Sequence, residues 1–420
     1  MMKKMKNEMF VALVALTMTA CQETKEIDWV THALDVSSGQ LKLTACELAD
    51  SALLPRSTWT FHDNDFLISQ LEHEIVKSDD PLEIYSIEAL KGKRRNCGIE
   101  DWTSGFFPGS LWYAYGLTGD EDLKKQAIRT TNLLYPVRQL KGTHDLGFMI
   151  HCSYGNALNY APHDTIKTVL VETAETLCER FNPAIGCIRS WDFGRWNYPV
   201  IIDNMMNLEL LFTASRLTGD KKYYDIAVTH AKTTMKNHFR KDYTSYHLVS
   251  YNNDGSVELK ETHQGKNDDS SWSRGQAWAV YGYTSCFRET NDAIFLRQAI
   301  QVADMIVERV KTNDLIPYWD YDAPDCSDTP RDASAASITA AAFLELSKFV
   351  PNGQKYFNYA ETVLKNLSQE DYLAEKGGNH GFILMHSTGS LPHGSEIDTP
   401  INYADYYYLE ALKRYLELKK

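Results

Sequence analysis

Two aspartates sit in apolar strings: Asp145 in Thr143-His144-Asp145-Leu146-Gly147-Phe148, and Asp203 in Val200-Ile201-Ile202-Asp203-Asn204-Met205-Met206. A carboxyl group in poor solvent has its neutral form favoured and its pKa raised, and that is how a side chain becomes a proton donor near neutral pH. A helix cap or a hydrogen-bonded core acid would use the same residue type, so the neighbours carry the argument. Around the pair the chain supplies Trp102, Trp191, His247, His263, Gln264, Arg274 and Trp278, in short polar-aromatic stretches punctuated by glycine. A flat indole suits the C–H face of a pyranose ring. The set reads as a sugar site built around proton-transferring acids.

The most distinctive segments are Glu261-Thr262-His263-Gln264-Gly265 and Ser271-Trp272-Ser273-Arg274-Gly275-Gln276-Ala277-Trp278. In a helix starting near Ser273, Arg274 and Trp278 are four apart, so both share one face and lean toward the N-terminal end. A cation beside an indole at a helix start suits an anionic ring ligand. Trp102 lies in a glycine- and aromatic-rich stretch that enters a helix and can floor a subsite, whereas Trp112, inside that helix, reads as core. Asp332-Ala333-Ser334-Ala335-Ala336-Ser337 reads as a capped, close-packed inner helix with no part in chemistry.

The elements that must position these residues follow from a weak repeat. Leu117-Thr118-Gly119-Asp120 and Leu217-Thr218-Gly219-Asp220 each join two amphipathic runs. Glycine tolerates positive φ at a helix C-terminus and the aspartate after it can cap the next helix, so the unit is a helical hairpin. Looser versions occur at Glu289-Thr290-Asn291-Asp292 and Pro351-Asn352-Gly353, and an alanine recurs on the apolar face of each second helix: Ala127, Ala227, Ala299, Ala360. Small residues there let neighbouring helices approach, as in a ring of stacked hairpins. The expected architecture is an all-α toroid with a cleft built from loops at one end. Strand signals are sparse, the clearest being a hairpin arm at Tyr246-His247-Leu248-Val249-Ser250-Tyr251 with a turn at 252–255.

Bulk properties narrow the function. The 420-residue chain shows no Pro/Gly/Ser-rich linker, so residues 22–420 are expected to form one large domain. A net charge of -13 disfavours a nucleic-acid partner. The basic run Lys91-Gly92-Lys93-Arg94-Arg95 reads as a solvated loop. Residues 1–21 combine Lys3, Lys4 and Lys6, a short apolar run and Met18-Thr19-Ala20-Cys21, the pattern of a bacterial secretion signal with a lipobox. Lipidation of Cys21 is expected to tether the mature protein to the cell envelope, its only contact with a membrane. The remaining seven cysteines are odd in number, scattered, and lack zinc-binding spacing; a bridge between Cys178 and Cys187 stays open.

A family is recognisable in the motifs. His144-Asp145-Leu146-Gly147-Phe148, Ile201-Ile202-Asp203-Asn204-Met205-Met206-Asn207-Leu208, Ser245-Tyr246-His247, Thr262-His263-Gln264-Gly265, Trp272-Ser273-Arg274-Gly275-Gln276-Ala277-Trp278 and Asp405-Tyr406-Tyr407-Tyr408-Leu409-Glu410-Ala411-Leu412 occur in this order. Over residues 101–412 the chain thereby resembles the unsaturated glucuronyl hydrolases, glycoside hydrolase family 88. The resemblance implies an (α/α)6 barrel without metal or organic cofactor. It implies action on oligosaccharides that lyases leave with a Δ4,5-unsaturated uronate at the non-reducing end. Asp203 matches the family's general acid and base and Asp145 its second essential carboxylate. Trp102, His144, Trp191, His247, Gln264, Arg274 and Trp278 match positions lining the uronate subsite. The loop 386–397 departs from the pattern of members that hold sulfate there, having Ser387, Ser390 and Ser395 but no lysine. Two further readings are an unsaturated rhamnogalacturonyl hydrolase on the same barrel and a non-catalytic glycan-binding lipoprotein. The first is disfavoured by the segments at His263 and Trp272, the second by two acids in apolar strings.

Overall fold

The computed structural model describes residues 29–60 and 92–420. Cys21 and the whole signal segment 1–21 lie outside the described residues, as does Lys91. Helices alternate between an outer and an inner layer: α1 (residues 29–47), α2 (Phe106–Thr118), α3 (Glu121–Leu133), α4 (a π-helical run Gly147–Gly155 continuing as Asn156–Tyr160), α5 (Asp164–Cys178) and α6 (Leu208–Thr218). The series continues with α7 (Lys221–Asn237), α8 (Ser273–Thr290), α9 (Ala293–Arg309), α10 (Ala333–Ser347), α11 (Gln354–Leu367) and α12 (Asn402–Lys419).

Even-numbered helices touch their even-numbered neighbours in sequence, and α12 closes back on α2, so they form a closed inner ring. Each odd-numbered helix packs outside it, and α1 completes the outer layer through Trp29, whose ring lies 5.5 Å from that of Tyr415 in α12. The sequence explains the layering. Inner helices have no polar stripe: α10 is buried from Ala333 to Leu346 and α8 from Ser273 to Cys286. Outer helices bury one face only, with Ala127, Ala227, Ala299 and Ala360 all inaccessible on it.

The hairpin signals act as expected at three of four positions. Gly119 and Gly219 adopt φ of 71° and 74°, and Asp120 and Asp220 accept the N–H of Asp122 and Lys222 at 3.0 and 2.9 Å. Asn291 (φ 53°) and Asp292 repeat the device. Gly353 differs: it has helical φ, and its lack of a side chain serves a close approach, since a Cβ would fall 1.9 Å from the Ser347 carbonyl oxygen.

Strands decorate the rim. β1 (Leu54–Thr58) pairs with β2 (Arg94–Cys97), and β3 (Phe181–Asn182) with β4 (Cys187–Ile188). β5 (Pro199–Ile201), β6 (Leu248–Tyr251) and β7 (Val257–Glu261) form an antiparallel sheet with β6 central. The hairpin arm is therefore present, joined by a third strand that its β-branched Val200-Ile201 announced only weakly. The basic run is corrected: Arg94 and Arg95 belong to β2, and Arg95 is 2% exposed with its guanidinium over the Trp59 ring. Cys178 and Cys187 are free thiols, so that bridge is not formed. Among the described residues no helix is long and apolar enough to cross a membrane.

Candidate active site

All six inner helices direct their N-termini toward the same end of the ring, and the candidate residues collect there. Trp102 precedes α2 and Asp145 precedes α4. Asp203 lies in the 3₁₀ turn Ile202–Asn207 leading into α6, Arg274 in the first turn of α8, and Asp332 caps α10. Convergent helix N-termini favour an anion in the space they surround. That space is a cavity of about 510 Å³ lined by Trp102, His144, Asp145, Trp191, Asp203, Gln264 and Arg274. Other concavities of about 530 and 840 Å³ exist among the described residues, but neither holds a buried carboxyl group.

Asp203 is placed by the sheet. β5 pairs Ile201 with Leu248, and the Ile202 N–H donates to the His247 carbonyl at 3.0 Å, which brings Asp203 Oδ2 to 3.6 Å from His247 Nε2. His247 Nδ1 accepts the backbone N–H groups of His263 (2.9 Å) and Gln264 (3.3 Å), so its proton sits on Nε2, facing the acid. Burial pushes Asp203 up to about 7; Arg274 opposes the rise and Asp145 adds to it. Neither Asp203 Oδ2 nor the Trp278 indole N–H makes a hydrogen bond of good geometry, and the Trp278 side chain faces Asp203 closely enough to oppose the rise in its pKa. Burial, with His263 beside it, drops the His247 pKa well below the ordinary value, so the ring is neutral. The π-helical turn that follows Asp145 is held by Asn207, whose Oδ1 accepts the Phe148 N–H at 3.0 Å; such turns recur at functional sites.

Four expectations change. Asp145 is not enclosed by apolar groups: it is half-buried, accepts from Thr143 Oγ1 at 2.7 Å, and has His144 Nε2 3.3 Å away. Trp278 and His247 are not walls of the cavity. Trp278 is fully buried against Phe148 and Tyr407, and His247 lies behind Asp203, so both act through the residues they hold. Arg274 does line the cavity, but its guanidinium donates to Asp332 Oδ2 at 2.8 Å, to the Thr388 carbonyl at 2.5 Å and to the Gly389 carbonyl. Asp332 therefore does more than cap a helix. Of the loop serines, Ser390 and Ser395 line the cavity and Ser387 is buried away from it.

Sequence reasoning overlooked Arg56, Phe193, Trp196, His393, Glu396 and Tyr403, all of which line the cavity. Phe193 stacks on Trp191 (ring centroids 5.0 Å, 12° between planes), and the closeness of Phe193 and Trp196 to Trp191 in sequence was a usable signal. Arg56 and Glu396 had none.

A closed toroid of helical hairpins with an acid-bearing, aromatic cavity at the N-terminal ends of its inner helices is an architecture on which glycoside hydrolases are built, and the family match places this chain among them. The chain belongs to Glycosyl Hydrolase Family 88, whose pattern matches residues 88–415, while residues 1–73 match a domain of unknown function. The chain is 48% identical over 320 residues to an unsaturated glucuronyl hydrolase of Formosa agariphila, covering 75% of this chain and 80% of that protein. A solved unsaturated glucuronyl hydrolase specific for heparin superimposes with a TM-score of 0.84 at 46% identity, covering 93% of this chain and 98% of that one. The enzyme from Bacillus sp. GL1, responsible for degradation of glycosaminoglycan, gives a TM-score of 0.78 at 28% identity, covering 91% and 96%. The fold is the (α/α)6 barrel that the motifs implied.

Proposed function

We propose that this protein removes the Δ4,5-unsaturated uronate from the non-reducing end of oligosaccharides left by glycosaminoglycan lyases, by hydrating the double bond. The observation that carries the reading is Asp203: a buried carboxyl group with a pKa near neutrality and an oxygen that makes no hydrogen bond of good geometry, in a cavity whose surroundings favour an anion. A protein that only captured glycans would have no use for such a group.

The substrate is an enol ether conjugated to a carboxylate. Protonated Asp203 gives its proton to carbon 4, and positive charge develops at carbon 5 as an oxocarbenium ion. The ionised Asp203 then accepts a proton from the water that adds to carbon 5. The resulting hemiketal opens to a ketone, and the hemiacetal left at carbon 1 expels the next sugar as an alcohol. His247 presents Nε2–H to Asp203 without competing for its proton. Asp145, with His144, holds substrate hydroxyls, and Trp102 and Trp191 flank the ring. No nucleophile attacks carbon 1, so the carboxylate spacing that sorts retaining from inverting enzymes does not apply.

The test is loss of the double bond's ultraviolet absorbance when purified protein meets unsaturated heparin or chondroitin disaccharides, with the saturated disaccharides as controls. Unchanged absorbance across the panel would overturn the assignment.

For residues 1–21 we propose a lipoprotein signal ending in lipidated Cys21, which holds the enzyme at the cell envelope. The support is the Lys3-to-Cys21 pattern. Cys21→Ser should release the protein from the membrane fraction or block its processing; wild-type protein in the cytoplasm with an intact N-terminus would defeat the proposal.

A further inference from the structure

Arg56 lies in β1, outside the stretch 88–415 that carries the family pattern, yet its guanidinium lines the catalytic cavity. Its Nη1 donates to Asp101 Oδ2 at 2.5 Å, and its Nε and Nη2 donate to Oε1 and Oε2 of Glu396 at 2.7 and 3.3 Å. Asp101 starts the turn that carries Trp102: its Oδ1 accepts the Thr103 N–H and Oγ1–H at 2.8 and 2.7 Å. Glu396 is 6% exposed, and although burial would raise its pKa, Arg56 and Arg95 hold it down to about 2. It is a fixed anion clasped by a fixed cation.

Glu396 belongs to the loop 386–399, which folds back through paired Ser387 and Thr399 and paired Ser390 and Ser395. Three of its non-glycine residues, His386, Glu396 and Asp398, have φ of 61°, 56° and 51°. A side chain with a Cβ is disfavoured in this left-handed conformation, so the loop depends on contacts from outside to keep its shape. β1 and the residues after it supply them: Ser57 Oγ donates to Glu396 Oε1 at 2.8 Å, and the Ile397 N–H donates to Thr60 Oγ1 at 3.1 Å.

The loop in turn holds the groups that face substrate. Thr388 O accepts from Arg274, and Gly389 O accepts from Arg274 and from Gln264 Nε2, the latter at 3.3 Å. Gly389 rests directly on Glu396. Its N–H donates to the Glu396 carbonyl at 2.6 Å, and a Cβ on it would fall 2.6 Å from Glu396 Oε2. A shift of Glu396 must move Gly389, and a shift of Gly389 must move the donors of Arg274 and Gln264.

We propose that Arg56 is a positioning residue for substrate: by clasping Asp101 and Glu396 it fixes the turn of Trp102 and the loop that aims Arg274 and Gln264. The N-terminal segment thus completes the active site as well as the barrel. The proposal rests on the reaction proposed above only for the identity of the ligand. It is tested by calorimetric binding of an unsaturated uronyl disaccharide to the otherwise intact Asp203→Asn protein, with and without Arg56→Met.

The expected result is a dissociation constant raised about tenfold or more by Arg56→Met in protein that stays folded at the assay temperature, its thermal midpoint lowered because Glu396 loses a buried partner, with partial recovery of both in Arg56→Lys, which keeps the charge but reaches one carboxylate. In the Asp203-intact background the same change should appear in KM more than in kcat, whereas a merely destabilised protein loses kcat at constant KM. If Arg56→Met does not fold, Arg56→Lys is judged by the same criteria. Dissociation constants within about twofold of each other in folded proteins would overturn the proposal. Equal binding alongside normal wild-type turnover would overturn it alone, whereas tight Arg56-dependent binding without wild-type turnover would overturn only the reaction.

Discussion

Arg274 Nη1 donates to Asp332 Oδ2 at 2.8 Å, and the two side chains are 1% and 0% exposed. The other oxygen of Asp332 accepts the N–H groups of Ser334 and Ala335 at 3.1 and 3.4 Å, so one carboxylate caps α10 and ties it to α8. Removing one partner of a buried pair leaves an uncompensated charge in poor solvent. Arg274→Ala should therefore lose about 3–5 kcal/mol of folding stability in addition to substrate affinity. Chemical denaturation checks this; a wild-type midpoint for Arg274→Ala would show the pair to be dispensable to the fold.

Asp203→Asn removes both proton donor and base, and turnover should fall on the order of a thousandfold or more. The same substitution should stabilise the protein near neutral pH. The carboxyl group titrates at 3.8 when unfolded and at about 7 when folded. Between those values the folded state binds the proton more tightly, so stability contributed by this group at low pH is lost as pH rises through the window. Thermal midpoints should thus favour Asp203→Asn at pH 8 and converge toward pH 4. A variant no more stable than wild type at pH 8 would contradict the burial argument.

His247 is neutral throughout the working range, so it should add no limb to the pH profile. The rate should decline along a single titration as pH rises through about 7, where Asp203 loses its proton. His247→Phe keeps the ring volume, removes the Nε2–H donor and orphans two backbone N–H groups. We expect kcat to fall about a hundredfold with the fold retained, measured by steady-state kinetics with circular dichroism as control. Turnover near the wild-type value would make the histidine packing alone.

The route of water separates hydration from ordinary glycoside hydrolysis. Reaction in heavy-oxygen water should label the ketone at carbon 5, and heavy-hydrogen solvent should leave deuterium at carbon 4. Label at carbon 1 in a single turnover, before exchange, would exclude the hydration route even if Asp203 and Asp145 both proved essential.

What the chain determined by itself is whatever short-range physics carries. Gly119-Asp120 and Gly219-Asp220 end one helix and cap the next through bonds spanning a few residues, so the hairpins and hence the toroid were legible. Asp203 was legible because its enclosing residues, Ile201, Ile202 and Met205, are also its neighbours in sequence, and all are buried. The outcome for Asp145 was not, because what surrounds a residue at a helix entrance is set by the turn's direction. Whether a side chain forms the wall or the foundation of a cavity depends on the angle at which its helix meets the ring. That is why Arg274 reaches the cavity while Trp278, one turn later on the same face, lies beneath it. Only closure of the barrel brings Arg56 to Glu396, 340 residues away. No local propensity encodes such a contact, because its energy exists only once both ends of the chain have been placed on the same rim.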